Sequence, residues 1–139
     1  MSGKIDPETR HFAALHVLIV DDHSTMRELL AAIFAMIGFR HITVCNTGKE
    51  AMKQLQAGAF DLVVVDEMLE NESGLQIVRA IRSIPALSLI RVLLVTSSRD
   101  HQIAIDAKRA GSDDFLLKPF KPEALKERLV RLLPNPHQS

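Results

Sequence analysis

Leu62-Val63-Val64-Val65-Asp66 is the stretch on which the fold turns. Four consecutive apolar residues, three of them β-branched, show no polar alternation, as expected of a strand covered on both faces. The run ends abruptly on a carboxylate. A second run of the same kind, Val92-Leu93-Leu94-Val95, ends on Thr96-Ser97-Ser98.

Working outward, His16 to Val20 reads as an earlier strand that stops at Asp21-Asp22, and His41 to Cys45 as a shorter one. Asp114 to Leu117 is a fifth, followed by Lys118. Between the first two strands, Met26, Leu29, Leu30, Ile33, Phe34 and Ile37 recur at helical spacing, and Gly38 is a natural stop. Further helices are marked by Ala51, Met52 and Leu55, by Leu75, Ile77, Val78 and Ile81, and by about Asp100 to Ala110 before Gly111. The last begins at Pro122 and carries Leu125, Leu129, Leu132 and Leu133. Met26, Met36 and Met52 fall on apolar helix faces and are expected in the core. Five βα units in succession predict an α/β fold, a parallel sheet with helices on both faces.

The 139 residues suit one domain, over 14–133, with a flexible polar extension at 1–13 and a tail at 134–139. Seventeen basic residues balance seventeen acidic ones, which gives no drive towards nucleic acid or an anionic membrane. No apolar run approaches the roughly 20 residues of a spanning helix. A single cysteine, Cys45, excludes an internal disulfide and fits the cytoplasm. Six histidines are scattered without ligand spacing, and His23 alone adjoins the acid pair. Lys121, Lys126, Arg128 and Arg131 make the last helix modestly basic.

Polar groups concentrate where strands end: Asp21-Asp22, Asp66, Thr96 and Lys118. In an open parallel sheet the carboxyl ends of the strands share one edge, where ligands bind. Two carboxylates about 4 Å apart repel by roughly 4 kcal/mol at an effective dielectric near 20. Three of them call for a compensating charge, and oxygen-only ligands suit Mg²⁺ better than zinc. Lys118 and Thr96 would then hold phosphoryl oxygens, and a carboxylate so placed can attack phosphorus. Taken singly, each residue has an ordinary reading as a cap, a turn or a solvated charge. Their joint placement at strand ends makes that reading improbable.

These residues closely resemble the receiver domains of response regulators in two-component signalling. The resemblance covers residues 14–133 and rests on the acid pair, Asp66, Thr96 and Lys118-Pro119-Phe120 in that order and spacing. Asp21-Asp22-His23-Ser24-Thr25-Met26-Arg27 is similar to the chemotaxis (CheY-like) members. The resemblance implies a flavodoxin-like strand order 2-1-3-4-5, with Asp66 as phosphoacceptor. It implies Mg²⁺ held by Asp22, by Asp66 and by the backbone carbonyl of Met68, with Asp21 acting largely through water. Lys118 would pair with the phosphoryl group, and Thr96 would swing towards it. Phe115 would be the aromatic switch residue and Lys118–Pro119 a cis peptide. The implied partners are a histidine kinase or histidine phosphotransfer protein and a downstream effector protein. The latter would read the face of the fourth helix, fifth strand and fifth helix, which also allows a monomer or a weak homodimer.

The sequence departs from that pattern at Phe115 and in the loop after Asp66, and Met68 and Ser98 flank the expected site at positions where family members vary. Phe115 stands where chemotaxis receivers carry Tyr, so the ring has no hydroxyl. The loop after Asp66 has Glu70 where the family has Pro, with Glu67 and Glu72 as additional acids, and the missing Pro should loosen it. These acids would raise Mg²⁺ affinity, repel a phosphodonor, or simply be solvated. Two other readings stay open: a docking module indifferent to phosphate, and a receiver cut from a longer regulator. A small phosphohydrolase is disfavoured because Met68 occupies the place of a second catalytic acid. Met68 also offers no hydrogen bond to an attacking water, so phosphate loss should be slow. Replacing it by Asn should shorten the half-life of the phosphorylated protein, followed by intact mass after donor removal.

Overall fold

The computed structural model describes residues 6–136. Five strands, β1 (His16–Val20), β2 (His41–Cys45), β3 (Leu62–Asp66), β4 (Arg91–Thr96) and β5 (Asp114–Leu117), form one parallel sheet. Its order is β2-β1-β3-β4-β5, as the resemblance implied. Among the described residues six helices cover it: α1 (Pro7–Ala13), α2 (Ser24–Ile37), α3 (Gly48–Ala57), α4 (Gly74–Arg82), α5 (His101–Ala110) and α6 (Pro122–Leu132). One 3₁₀ turn, Pro85–Leu87, links α4 to β4.

Alternation along the central strands divides the core in two. Val17, Ile19, Leu62, Val64, Leu93 and Val95 face one way and pack with Leu30, Ile33 and Phe34 of α2 and Leu125 and Leu129 of α6. Leu18, Val20, Val63, Val65, Val92 and Leu94 face the other way, onto Ala51 and Leu55 of α3, Ile77, Val78 and Ile81 of α4 and Ile103 and Ala107 of α5. All five residues of β3 are buried, which is why its sequence shows no polar alternation. Helix α2 ends at Gly38, whose φ of 130° suits a residue without a side chain.

Two expectations need correction. The extension expected to be flexible is helical over Pro7–Ala13, while residues 1–5 lie outside the described residues. Asp6 accepts a hydrogen bond from the Thr9 amide, Pro7 fits the first turn, and Phe12 is buried. The Phe12 ring stacks on Phe39, with centroids 5.1 Å apart, and Phe39 meets Phe34 edge-on at 4.9 Å. A seven-residue helix with one buried aromatic is too short to show a hydrophobic period. Met36 is 73 % exposed and lies outside the core, whereas Met26 and Met52 pack against it. On α6, Lys126 pairs with Glu8 at 3.2 Å, and Arg128 and Arg131 share Asp114 at 3.4 and 3.3 Å, with Lys126 and Arg131 still facing solvent.

Because Phe12 seats α1 on the core, Phe12→Ala should cost about 3–5 kcal/mol of unfolding free energy in a denaturant titration. A loss below about 1 kcal/mol would show that α1 contributes little to the fold.

Candidate functional site

The backbone ladders that build the sheet also assemble the site. Past the formal strand ends, the Asp21 amide donates to the Cys45 carbonyl at 3.1 Å, Glu67 to Val95 at 2.7 Å and Lys118 to Thr96 at 2.7 Å. Asp21, Asp22, Asp66, Thr96 and Lys118 therefore leave the sheet at one edge with their backbones fixed. The edge brings these five together, and Phe115, on β5 opposite Leu94, stays half-buried against the other core layer.

Burial is deep for groups of this polarity. Asp21 is 1 % exposed, Asp66 4 % and Thr96 0 %. Lys118 Nζ lies 3.1 Å from Asp66 Oδ1, which leaves Oδ2 as the uncommitted oxygen of that carboxylate. Asp21 Oδ1 accepts from the His23 amide at 2.8 Å, and Arg27 Nη1 donates to the Asp21 carbonyl at 2.9 Å. Burial pushes the Asp21 carboxyl above its usual pKa, and the nearby Asp66 charge adds to the rise against the opposing His23 amide. Cys45, at the end of β2, has its thiol pushed up to about 12, chiefly by burial, and is not a nucleophile at neutral pH.

Three buried carboxylate oxygens, Asp21 Oδ2, Asp22 Oδ1 and Asp66 Oδ2, have no hydrogen-bond donor. Buried acceptors left in this way are costly. All three belong to the cluster formed by Asp21, Asp22, His23 and Asp66, whose ligand atoms lie within 4.8 Å of one another. A hard divalent cation answers the orphaned oxygens and the mutual repulsion together, so the residues fit Mg²⁺. His23 is 66 % exposed at the mouth, with Nδ1 3.1 Å from Asp22 Oδ1 and 3.8 Å from Asp66 Oδ2.

The loop after Asp66 is held where the missing Pro was expected to loosen it. The Glu70 amide, which Pro could not provide, donates to Asp22 Oδ2. Leu69 N–H donates to the Glu72 carbonyl at 3.2 Å, and Gly74 N–H to the Glu67 carbonyl at 2.8 Å. The Glu72 carboxylate accepts from the Gly48 amide at 2.8 Å, where it also meets the positive end of α3. A side chain at Gly74 would place its Cβ 2.1 Å from the Asp66 carbonyl oxygen, so this close return needs glycine. Met68 lies in the turn, its amide 3.4 Å from Asp66 Oδ1 and its side chain 68 % exposed. The Lys118–Pro119 peptide is cis.

Sequence reasoning did not assign three of these contacts. Arg27 donates to the Asp21 carbonyl from the first turn of α2, Glu72 caps α3, and Glu67 Oε1 accepts from the Thr96 hydroxyl at 2.9 Å. Each joins residues distant in sequence or turned back by a loop, and residue type alone carries no signal for them.

A family model described as the response regulator receiver domain matches residues 17–130. The chemotaxis protein CheY of Pseudomonas aeruginosa is 32 % identical over 118 residues, covering 85 % of this chain and 95 % of that protein. Among solved structures, the chemotaxis response regulator CheY4 of Vibrio cholerae aligns with a TM-score of 0.79 at 27 % identity, over 86 % of this chain and 98 % of that one. The response regulator TrrA of Thermotoga maritima, solved in complex with Mg²⁺-BeF, aligns with a TM-score of 0.76 at 29 % identity, over 86 % and 99 %. Among the described residues, no helix is long and apolar enough to cross a membrane.

A carboxyl whose pKa is raised by folding keeps a proton longer in the native than in the unfolded state. Its ionisation therefore lowers stability as pH climbs from the ordinary value of 3.8 through the raised one. Without divalent cations, Asp21→Asn should stabilise the protein at neutral pH and flatten the fall above pH 4. Chemical denaturation at several pH values reads both, and an unchanged slope would count against the assignment.

Proposed function

Since this chain belongs to the response regulator receiver family, we propose that it is a phosphorylation-controlled switch in which Asp66 accepts a phosphoryl group. The observation that carries this reading is the pairing of Lys118 with one oxygen of a buried Asp66 while the other points, without a donor, into a carboxylate cluster. In the transfer, the free Asp66 oxygen forms a bond to phosphorus as the donor's P–N or P–O bond breaks. The donor's leaving group takes the electron pair. Lys118 then moves from carboxylate to phosphoryl oxygen with no change in its own charge. Asp22, Asp66 and the Met68 carbonyl would hold Mg²⁺, with Asp21 reaching it through water. Bound there, Mg²⁺ supplies positive charge against the carboxylates and the phosphoryl oxygens.

Thr96, at the end of β4, is the group placed to follow the new charge, because its hydroxyl can turn without moving the strand once its present bonds are given up. Its shift, with that of Phe115, biases two conformers of the surface formed by α5, β5 and α6. The phosphodonor is a histidine kinase or histidine phosphotransfer protein, and the reader of the surface is a downstream effector protein in the cytoplasm. Similarity to chemotaxis proteins favours an output in motility, with a phosphorelay as the other candidate. The chain promotes its own phosphorylation and dephosphorylation and turns over no separate substrate.

Phe115 supports a second reading, a docking module indifferent to phosphate, since its ring has no hydroxyl to bond a partner. Incubation with Mg²⁺ and acetyl phosphate should add one phosphoryl group by intact mass. The gain should vanish without Mg²⁺ and in Asp66→Asn. No gain at donor concentrations that label an ordinary receiver would leave a strict need for a cognate kinase or the docking module, and partner binding by Asp66→Asn equal to wild type with and without phosphodonor would favour the latter.

A further inference from the structure

We propose that Glu67 is a positioning residue that competes with phosphorylated Asp66 for the hydroxyl of Thr96, and so sets how readily phosphorylation draws that residue across. The inference rests on Asp66 being the acceptor. Thr96 is fully buried, and its hydroxyl is committed on both sides: it donates to Glu67 Oε1 at 2.9 Å and accepts from the Ser98 amide at 3.0 Å. A hydroxyl has one proton to donate. It can serve the Glu67 carboxylate or a phosphoryl oxygen, but not both.

Glu67 is held for this role. Its amide donates to the Val95 carbonyl at 2.7 Å, and its carbonyl accepts from the Gly74 amide at 2.8 Å. The backbone is thus tied to β4 on one side and to the start of α4 on the other, and only the side chain is free to turn. A bond from a hydroxyl to an ionised carboxylate is stronger than one between neutral groups, and it lies here beside a buried strand end. Transfer of Thr96 therefore requires breaking a charge-assisted hydrogen bond and turning Glu67 away. The resting conformer is favoured by that margin.

The test measures affinity for beryllium fluoride, a phosphoryl mimic, in saturating Mg²⁺, read from backbone amide resonances of the full chain. Glu67→Ala should bind the mimic about tenfold more tightly than wild type, the scale of one hydrogen bond to a charged group. Relief of simple charge repulsion would also tighten binding, so the same substitution is made with Thr96→Val, which keeps the volume and removes the hydroxyl. In that background the gain should fall below about twofold. Equal affinity of wild type and Glu67→Ala overturns the inference, as does a tenfold gain that persists without the hydroxyl. Failure of wild type to take the mimic at all would bring down the acceptor reading itself, and the competition with it.

Discussion

Three carboxylates leave the ends of two adjacent strands and meet at one edge of a sheet whose interior is closed to water. Asp21 and Asp66 are almost wholly buried, and their backbones are fixed by the ladder bonds that hold β1, β2, β3 and β4 together. The sheet thus forces like charges into contact in a poorly solvating place, a cost that no local rearrangement can remove. Much of what surrounds them makes sense as a response. Lys118 supplies an ammonium from β5, Arg27 takes the Asp21 carbonyl, and backbone amides of His23, Met68 and Glu70 turn towards carboxylate oxygens. Three oxygens remain without donors, which is the opening a divalent cation fits.

The loop between β3 and α4 shows how the same constraint is met without the proline common in the family. Proline would stiffen the turn through its ring but would have no amide to offer. Glu70 offers that amide to Asp22, and Glu72 ties the far side of the loop to the first turn of α3. Order here comes from hydrogen bonds that involve the site itself. The loop's conformation and the state of the acid cluster are therefore coupled, where a proline-stiffened turn would leave them more independent.

How much of this was legible depended on whether a feature is periodic or strongly polar. The strand Leu62–Asp66 and the helix Ser24–Ile37 announced themselves, one by continuous apolar residues and the other by helical spacing. Asp21, Asp22, Asp66, Thr96 and Lys118 were legible as a set, because the alternating fold places all strand ends on one edge. Helix α1 was missed because seven residues with one buried aromatic carry no period, and its burial depends on Phe39, which comes 27 residues after Phe12. Met36 was misplaced because a two-sided apolar helix does not say which flank meets the sheet.

The amino-acid order by itself determined the α/β class, the five strands, the edge on which the chemistry gathers and the residue types gathered there. These follow from local hydrophobic period and from connectivity, which act over a few residues or over the whole chain in a fixed sense. Only the tertiary structure decided which oxygen of Asp66 faces Lys118, that the Glu70 amide engages Asp22, that Glu72 caps α3, and that Glu67 holds Thr96. Those choices rest on hydrogen bonds whose strength changes over tenths of an ångström between groups on different elements, and their geometry exists only once the elements have packed.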